Sequence, residues 1–260
     1  MNKIEVKSKN EIINDLGNKV DIKVLNDTLN ITVTDDVEDS ILLVNDIYEN
    51  IIINISDNKN VSFLEISNSN VLSNRNYKYV IGAYSRAVIN KFYYMNEYSE
   101  NITANLDGLA SDLLFNLSTL STENQKYHIA INHNNKRTVS NIYNHGVTYK
   151  EGTLDFTIDG IVKKGMSDSV LNQDNKIMTM GNGKSVIKPN LFIDENMVEA
   201  RHGASIGRFN DDEIFYLEAR GIPESVGYQL LLKGFLLGNI NVNDDIKKEL
   251  SEIVEKFGRW

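Results

Sequence analysis

The sequence has no cysteine and only two prolines, Pro189 and Pro223. Without cysteine there is no disulfide, no thiolate metal site and no thiol nucleophile. Basic residues are also short: 27 Lys and Arg face 36 Asp and Glu, a formal charge of −9. That balance argues against nucleic acid as a partner, because phosphate binding needs clustered Lys and Arg. Long apolar runs are missing as well. The longest is Leu230-Leu231-Leu232, resumed at Phe235-Leu236-Leu237. It falls far short of the roughly 20 residues of a spanning helix, so no membrane association is expected. The first residues, Met1-Asn2-Lys3-Ile4-Glu5-Val6-Lys7, show no apolar stretch before a small-residue cleavage site. The expectation is a cytoplasmic chain. Triplets such as Asn30-Ile31-Thr32 and Asn101-Ile102-Thr103 then have no glycosylation role.

The chain has 260 residues, of which 41% are hydrophobic, enough for one or two folded domains. Asparagine is in excess, at 35 residues. From residue 28 to 209 the sequence reads as a succession of short strands. Leu29-Asn30-Ile31-Thr32-Val33-Thr34, Val61-Ser62-Phe63-Leu64-Glu65-Ile66 and Thr153-Leu154-Asp155-Phe156-Thr157-Ile158 alternate apolar with polar. Such alternation marks a half-buried strand. Clusters such as Ser56-Asp57-Asn58-Lys59-Asn60 and Asn132-His133-Asn134-Asn135 punctuate the strands with turn formers. Strands without intervening helices exclude a βαβ fold and leave a sandwich, a barrel or a β-solenoid. Asparagine favours the solenoid, since a turn Asn can bond its equivalent one coil away. It arises equally where an AT-rich genome spends Asn on tolerant polar positions, and no strict repeat is visible.

Residues 210–260 change period. Asn210-Asp211-Asp212-Glu213 has a capping-box pattern before an apolar run. A short helix is expected to reach Arg220 and stop at Gly221. Pro223 suits the first turn of a second helix carrying Val226, Leu230, Leu231, Phe235 and Leu236, ending near Gly238. Asn243 caps a third, with Asp244 and Asp245 in its first turn. Ile246, Leu250, Ile253, Val254 and Phe257 form its apolar stripe. Three regions follow: a short lead-in at 1–27, a β core at 28–209 and a helical domain at 210–260.

Most chemical motifs fail on inspection. Gly181-Asn182-Gly183-Lys184-Ser185 ends like a phosphate loop, but Met178 stands where its first glycine belongs. Val186-Ile187-Lys188-Pro189 follows as strand, where phosphate binding needs a helix N-terminus. His128, His133, His145 and His202 form no helical metal pair. His128 and His133, five apart, face opposite sides of a strand. There is no nucleophile elbow, and the acidic residues are too scattered to nominate a glycosidase pair.

The densest constellation lies at 188–222. It contains Lys188-Pro189-Asn190-Leu191-Phe192-Ile193, then Arg201-His202-Gly203-Ala204-Ser205-Ile206-Gly207, then Phe215-Tyr216-Leu217-Glu218-Ala219-Arg220-Gly221-Ile222. Together these resemble the SufB/SufD family of iron–sulfur cluster assembly scaffolds. Its hallmarks are a Pro-x-Leu-x-Ile strand, a His-Gly-Ala-x-x-Gly segment and a Phe-Tyr-Leu-x-x-Arg-Gly-Ile helix end. Pro189, Leu191, Gly203, Ala204 and Gly207 carry the structural part of the motif. Weaker agreement at Arg137-Thr138-Val139-Ser140, Gly152, Asp159-Gly160-Ile161 and Gln173-Asp174-Asn175 extends the resemblance over about 125–240.

The resemblance implies a right-handed parallel β-helix followed by a C-terminal helical domain. It implies a non-enzymatic scaffold subunit working with SufC, an ABC-type ATPase, and with a SufB-type sister subunit or a second copy of itself. The ATPase would dock on the helices through Phe215, Tyr216, Arg220, Gly221, Ile222, Leu230 and Phe235. The family's SufB-like members carry a cysteine near the histidine segment; here Ala200 precedes His202 by two and the chain lacks cysteine. The resemblance therefore points to the SufD side, with His202 as the residue matched to iron or cluster ligation at the subunit interface. A cluster would assemble transiently on the complex, would not be held by this chain alone, and no tightly bound cofactor is expected. The rival readings are a β-solenoid carbohydrate-active enzyme and a self-associating structural solenoid.

Overall fold

A computed structural model describes residues 2–37, 39–67 and 73–257. Among these residues seventeen strands, numbered along the chain, fall into two sheets. One sheet holds β1 (Asn2–Ser8), β2 (Glu11–Asn14), β5 (Ile41–Asn45), β7 (Asn60–Ser67) and β9 (Arg86–Met95). It continues through β11 (Asp112–Ser121), β13 (Val139–Lys150), β15 (Ser169–Gly181) and β17 (Val198–Gly207). The other holds β3 (Val20–Leu25), β4 (Thr28–Val33), β6 (Asn50–Ile55), β8 (Asn74–Ile81), β10 (Tyr98–Leu106), β12 (Asn124–His133), β14 (Thr153–Val162) and β16 (Val186–Ile193). From β4 onward successive strands alternate between the sheets, and strands of one sheet pair in parallel. The result is a β-solenoid of about six turns.

Period-two alternation decides which side chains fill the coil. Leu29, Ile51, Tyr77, Ile102, Ile129 and Ile158 occupy one interior row across six strands, all buried. The coils are not equal. Ser40 meets Ser62 across a separation of 22 residues, while Asn190 meets Asp159 across 31. Growing coil length hides any fixed repeat from the sequence. Corners are tight where strands change sheets: a Cβ on Gly108 would lie 1.9 Å from the Ala83 amide nitrogen of the coil beneath.

Asparagine builds ladders, but mainly on strand faces. Asn76 donates to Asn50 at 3.0 Å and Asn101 donates to Asn76 at 3.0 Å along the open face of the second sheet. Asn116 donates to Asn90 at 2.9 Å under the helices, and Asn144 to Asn175 at 2.7 Å inside the coil.

Residues 1–27 differ from the sequence reading. Rather than an undefined lead-in, β1 pairs in parallel with β5 and antiparallel with β2, and β3 pairs antiparallel with β4. Asn26 and Asp27, at φ 49° and 57°, make the tight left-handed turn that such a hairpin requires. Ile4, Val6 and Val20 are buried, so the two hairpins close the first end of the stack.

Three helices follow: α1 (Asp211–Ala219), α2 (Glu224–Leu237) and α3 (Asp244–Phe257). The Asn210 side chain accepts from the Asp212 amide at 3.0 Å, and Gly221, at φ 81°, lies just past the α1 C-cap Arg220. Pro223 is the N-cap of α2, one position before the expected first turn. Asn243 caps α3 through the Ile246 amide at 3.0 Å. The α2–α3 pair lies on the outer face of the first sheet. Leu64, Phe92, Leu120 and Val147 there share a buried cluster with Leu232, Leu236, Ile240, Ile246, Leu250 and Val254. Ile253 packs at its margin, and the side chain of Phe257 lies outside the described residues. No helix among the described residues is long and apolar enough to cross a membrane.

Candidate functional site: the last coil and the helical flank

β16 and β17 are the last strands of their sheets, and among the described residues no further strand pairs with them. Pro189 is tolerated there because an edge strand leaves one side of its ladder unpaired. His202 lies beside Gln173, and the same interior row runs back through Ile142, Phe115 and Ile89 to Phe63. The row is apolar through the middle of the coil and turns polar in its last two rungs. Gln173 is buried; His202, on the last strand of the sheet, is exposed.

The neighbouring motif residues sit on the same rim. Leu191 pairs with Gly160 and Ala204 with Asn175, whose amide donates to the Gly203 carbonyl at 3.2 Å. A Cβ on Gly203 would meet only ordinary contacts, and one on Gly207 would meet nothing within 4 Å. Packing within this chain therefore does not demand either glycine. Phe192, Met197 and Ile206 are exposed around the rim. The described residues contain no group of three His, Asp or Glu able to hold a metal ion, so His202 belongs to no three-ligand site within this chain.

The expected docking residues divide. Phe215 and Tyr216 on α1 are 72% and 57% exposed, and Leu230 on α2 is also exposed. Arg220, Gly221 and Ile222 form the turn between α1 and α2. Phe235 faces the other way. Its ring stacks on His145 with centroids 4.6 Å apart and meets Phe209 edge-on at 6.1 Å. His145 donates from Nδ1 to the Phe235 carbonyl at 2.7 Å, and burial pushes its pKa down. Phe235 is thus part of an internal seam joining β13, α2 and the segment after β17. The helical period grouped it with Val226 and Leu230; those two are exposed, whereas Phe235 packs against the solenoid.

Polar bonds complete the seam. Ser118 donates to the Leu236 carbonyl at 2.6 Å. Asn239 donates to the carbonyls of Leu117 and Tyr143. Asn90 bonds both the carbonyl and the amide of Asn241. These contacts hold the end of α2 and the α2–α3 link on β9, β11 and β13.

Sequence reasoning missed the most unusual cluster, which lies inside the coil. Glu65, Arg75, Lys91 and Glu100 are all buried. Lys91 donates to Glu65 at 2.7 Å and Glu100 at 2.9 Å; Arg75 donates to Glu65 at 2.8 Å and to Asp46 at 2.8 Å. Tyr77 and Tyr93 donate to Glu65 at 2.6 and 2.7 Å. Burial pushes the Glu65 carboxyl up, but Lys91 and Arg75 outweigh it and hold the group below its usual range. Burial wins at Glu100, whose pKa is raised despite Lys91. Strand parity was the available signal. Glu65 follows Phe63 by two, and Lys91 follows Ile89 by two, so both share the inward face.

The other histidines are accounted for locally. His133 is buried between the Thr138 and Ser140 hydroxyls at 2.7 and 2.8 Å, and burial lowers its pKa to about 4. His128 is exposed and pairs with Asp159 at 2.7 Å. The Gly181–Ser185 stretch runs from β15 into β16 with no helix behind it, and so lacks the geometry of a phosphate loop.

Comparison with known proteins adds a family. A family model described as SUF system FeS cluster assembly, SufBD core domain, matches residues 49–235. The iron–sulfur cluster assembly protein SufD of Bacillus subtilis is 29% identical over 163 residues, covering 61% of this chain and 37% of that protein. A SufBD family protein of Mycobacterium tuberculosis H37Rv is 34% identical over 85 residues, 31% of this chain and 21% of its own length. SufD of Escherichia coli K12 is 42% identical over 48 residues, 18% of this chain and 11% of that protein. The matches thus span little more than a third of these relatives' lengths at most. The family match also takes in β6 to β11, where the sequence reading found architecture without a motif.

Proposed function

The chain belongs to the SufB/SufD family and is most like SufD, and we propose that it is a non-enzymatic scaffold subunit of SUF iron–sulfur cluster assembly. The observation that carries this reading is the uncovered last coil, where His202 ends an interior row of a chain with no cysteine. A nascent cluster needs thiolates. A SufB-type sister chain with cysteine would supply them from the other side of the rim, and His202 would add one imidazole ligand. The cluster is cargo of the pair and is not held by this chain alone. The exposed apolar residues Phe192, Met197 and Ile206 suit burial against such a partner.

An ABC-type ATPase of the SufC kind would dock on the outward side of α1 and α2. Phe215, Tyr216 and Leu230 supply the apolar contact, and the Arg220–Ile222 turn shapes its edge. The seam supports a role for these helices in transmission. Force on α2 reaches β13 through Phe235 and His145, and reaches the end of β17 through Phe209. ATP-driven movement of the partner would thereby load the coil that carries His202.

Co-purification is the direct test. The chain co-expressed with the ATPase and the cysteine-bearing sister is expected to yield a three-component complex. Phe215→Ala should release the ATPase and leave the sister bound. Absence of any complex with the unaltered chain would reject the scaffold reading and favour a solenoid that only self-associates.

A further inference from the structure

The outward side of α1 and the start of α2 combine bare apolar side chains with a ring of carboxylates. Helix residues three and four apart are neighbours. Phe215 therefore stands among Asp211, Asp212 and Glu218, and Tyr216 among Asp212, Glu213 and Arg220. The Arg220 guanidinium lies 5.1 Å from the Tyr216 ring centroid. Beside them a shallow groove of about 370 Å³ is lined by Asp212, Glu213, Tyr216, Leu217 and Leu231. Glu224, exposed like Val226 and Leu230, adds a charge at the start of α2.

Local helix energetics explain only part of this charge. Asp211, Asp212 and Glu213 suit the positive end of α1. Glu218 lies in the last turn, where the helix dipole disfavours an anion. Among the described residues, none of these five carboxylates forms a salt bridge within the chain. A second copy meeting this face symmetrically would set carboxylate against carboxylate.

We propose that this face receives a basic amphipathic segment of the partner ATPase, with an apolar ridge filling the groove and Lys or Arg side chains over the acidic rim. The inference rests on the docking reading above and adds the chemistry of the docked element. Rim charges of this kind steer encounter and set its salt dependence more than they set final affinity.

Association of the full chain with the purified ATPase subunit, followed by stopped flow across a range of salt, tests the idea. Wild-type association should slow steeply with salt. Glu218→Lys, a change that suits the helix dipole, should slow low-salt association roughly tenfold and flatten the salt dependence. Asp212→Lys is the second variant, and circular dichroism should show both folded. Salt-independent association, unchanged by either substitution yet lost in Phe215→Ala, would overturn the electrostatic inference and leave the docking reading standing. No association at any salt would overturn both. Concentration-dependent dimerisation that Phe215→Ala abolishes would assign the face to a second copy and reject the inference.

Discussion

His202 and Gln173 are adjacent rungs of one interior row, and only Gln173 is covered. The same row carries Phe115 and Ile142 two and one strands further in. A buried side chain at such a position contributes to the core, whereas a terminal one is free to serve a partner.

His202→Ala should therefore leave folding intact, with thermal unfolding unchanged within about 0.5 kcal/mol. Cluster yield in a complex reconstituted with the ATPase and the cysteine-bearing sister should fall, read by the visible absorbance of the assembled cluster. Full yield from the variant would remove His202 from the ligand set.

Lys91→Met should cost about 3–5 kcal/mol, because it strands Glu65 and Glu100 without their shared cation in a buried site. Urea denaturation measures this. Replacing Lys91 and Glu100 together with apolar residues leaves Glu65 paired with Arg75 and should recover part of the loss. Equal loss in the single and double variants would show that shape, not charge, dominates there.

His133 gives a pH dependence with a fixed sign. Burial lowers its pKa from 6.5 to about 4, so the unfolded chain takes up a proton first as pH falls. Its contribution is complete above pH 6.5 and is lost between 6.5 and 4, by roughly 3 kcal/mol at about 1.4 kcal/mol per unit. His133→Asn should unfold with a shallower stability slope across that window.

Phe235→Ala should loosen the seam and spare the coil. A half-buried phenyl is expected to cost about 2 kcal/mol, less than the ~3–5 kcal/mol of a fully buried one. Hydrogen exchange should accelerate in α2 and α3 and stay slow in β11 and β13. Uniform acceleration across both would mean that the helices and coil unfold as one unit.

Asn90→Ala should destabilise more than Asn76→Ala. Asn90 is buried and bonds Asn116 and both main-chain groups of Asn241, while Asn76 sits on an exposed ladder. Expected losses are about 2–3 kcal/mol against less than about 1 kcal/mol, by equilibrium denaturation.

Much of this architecture was legible because local and long-range signals agreed. Alternation at Leu29–Val33 and Thr153–Ile158 marked strands that the solenoid does form, and the Asn210 and Asn243 caps marked helix starts. The N-terminal hairpins were not legible, because β3 exposes Val24 and Leu25 and so lacks clean alternation. Phe235 shows another limit: periodicity finds an apolar stripe but cannot say whether this chain or another covers it. Glu65 and Lys91 were passed over because charged residues are rarely buried, although their parity with Phe63 and Ile89 placed them inside. The ladders that identify His202 as terminal join residues 29 to 31 positions apart and need the folded coil to be seen.

Unequal coils carry a benefit for folding fidelity. A stack of identical repeats can thread one turn out of phase at small cost. Here the step between rungs is 22 residues near one end and 31 near the other, so a chain displaced by one turn has corners too long or too short to close. The displaced chain would also bury Glu65 away from Arg75 and Lys91. Mismatch in length and charge thus acts against mis-threaded states, leaving one way to wind the chain.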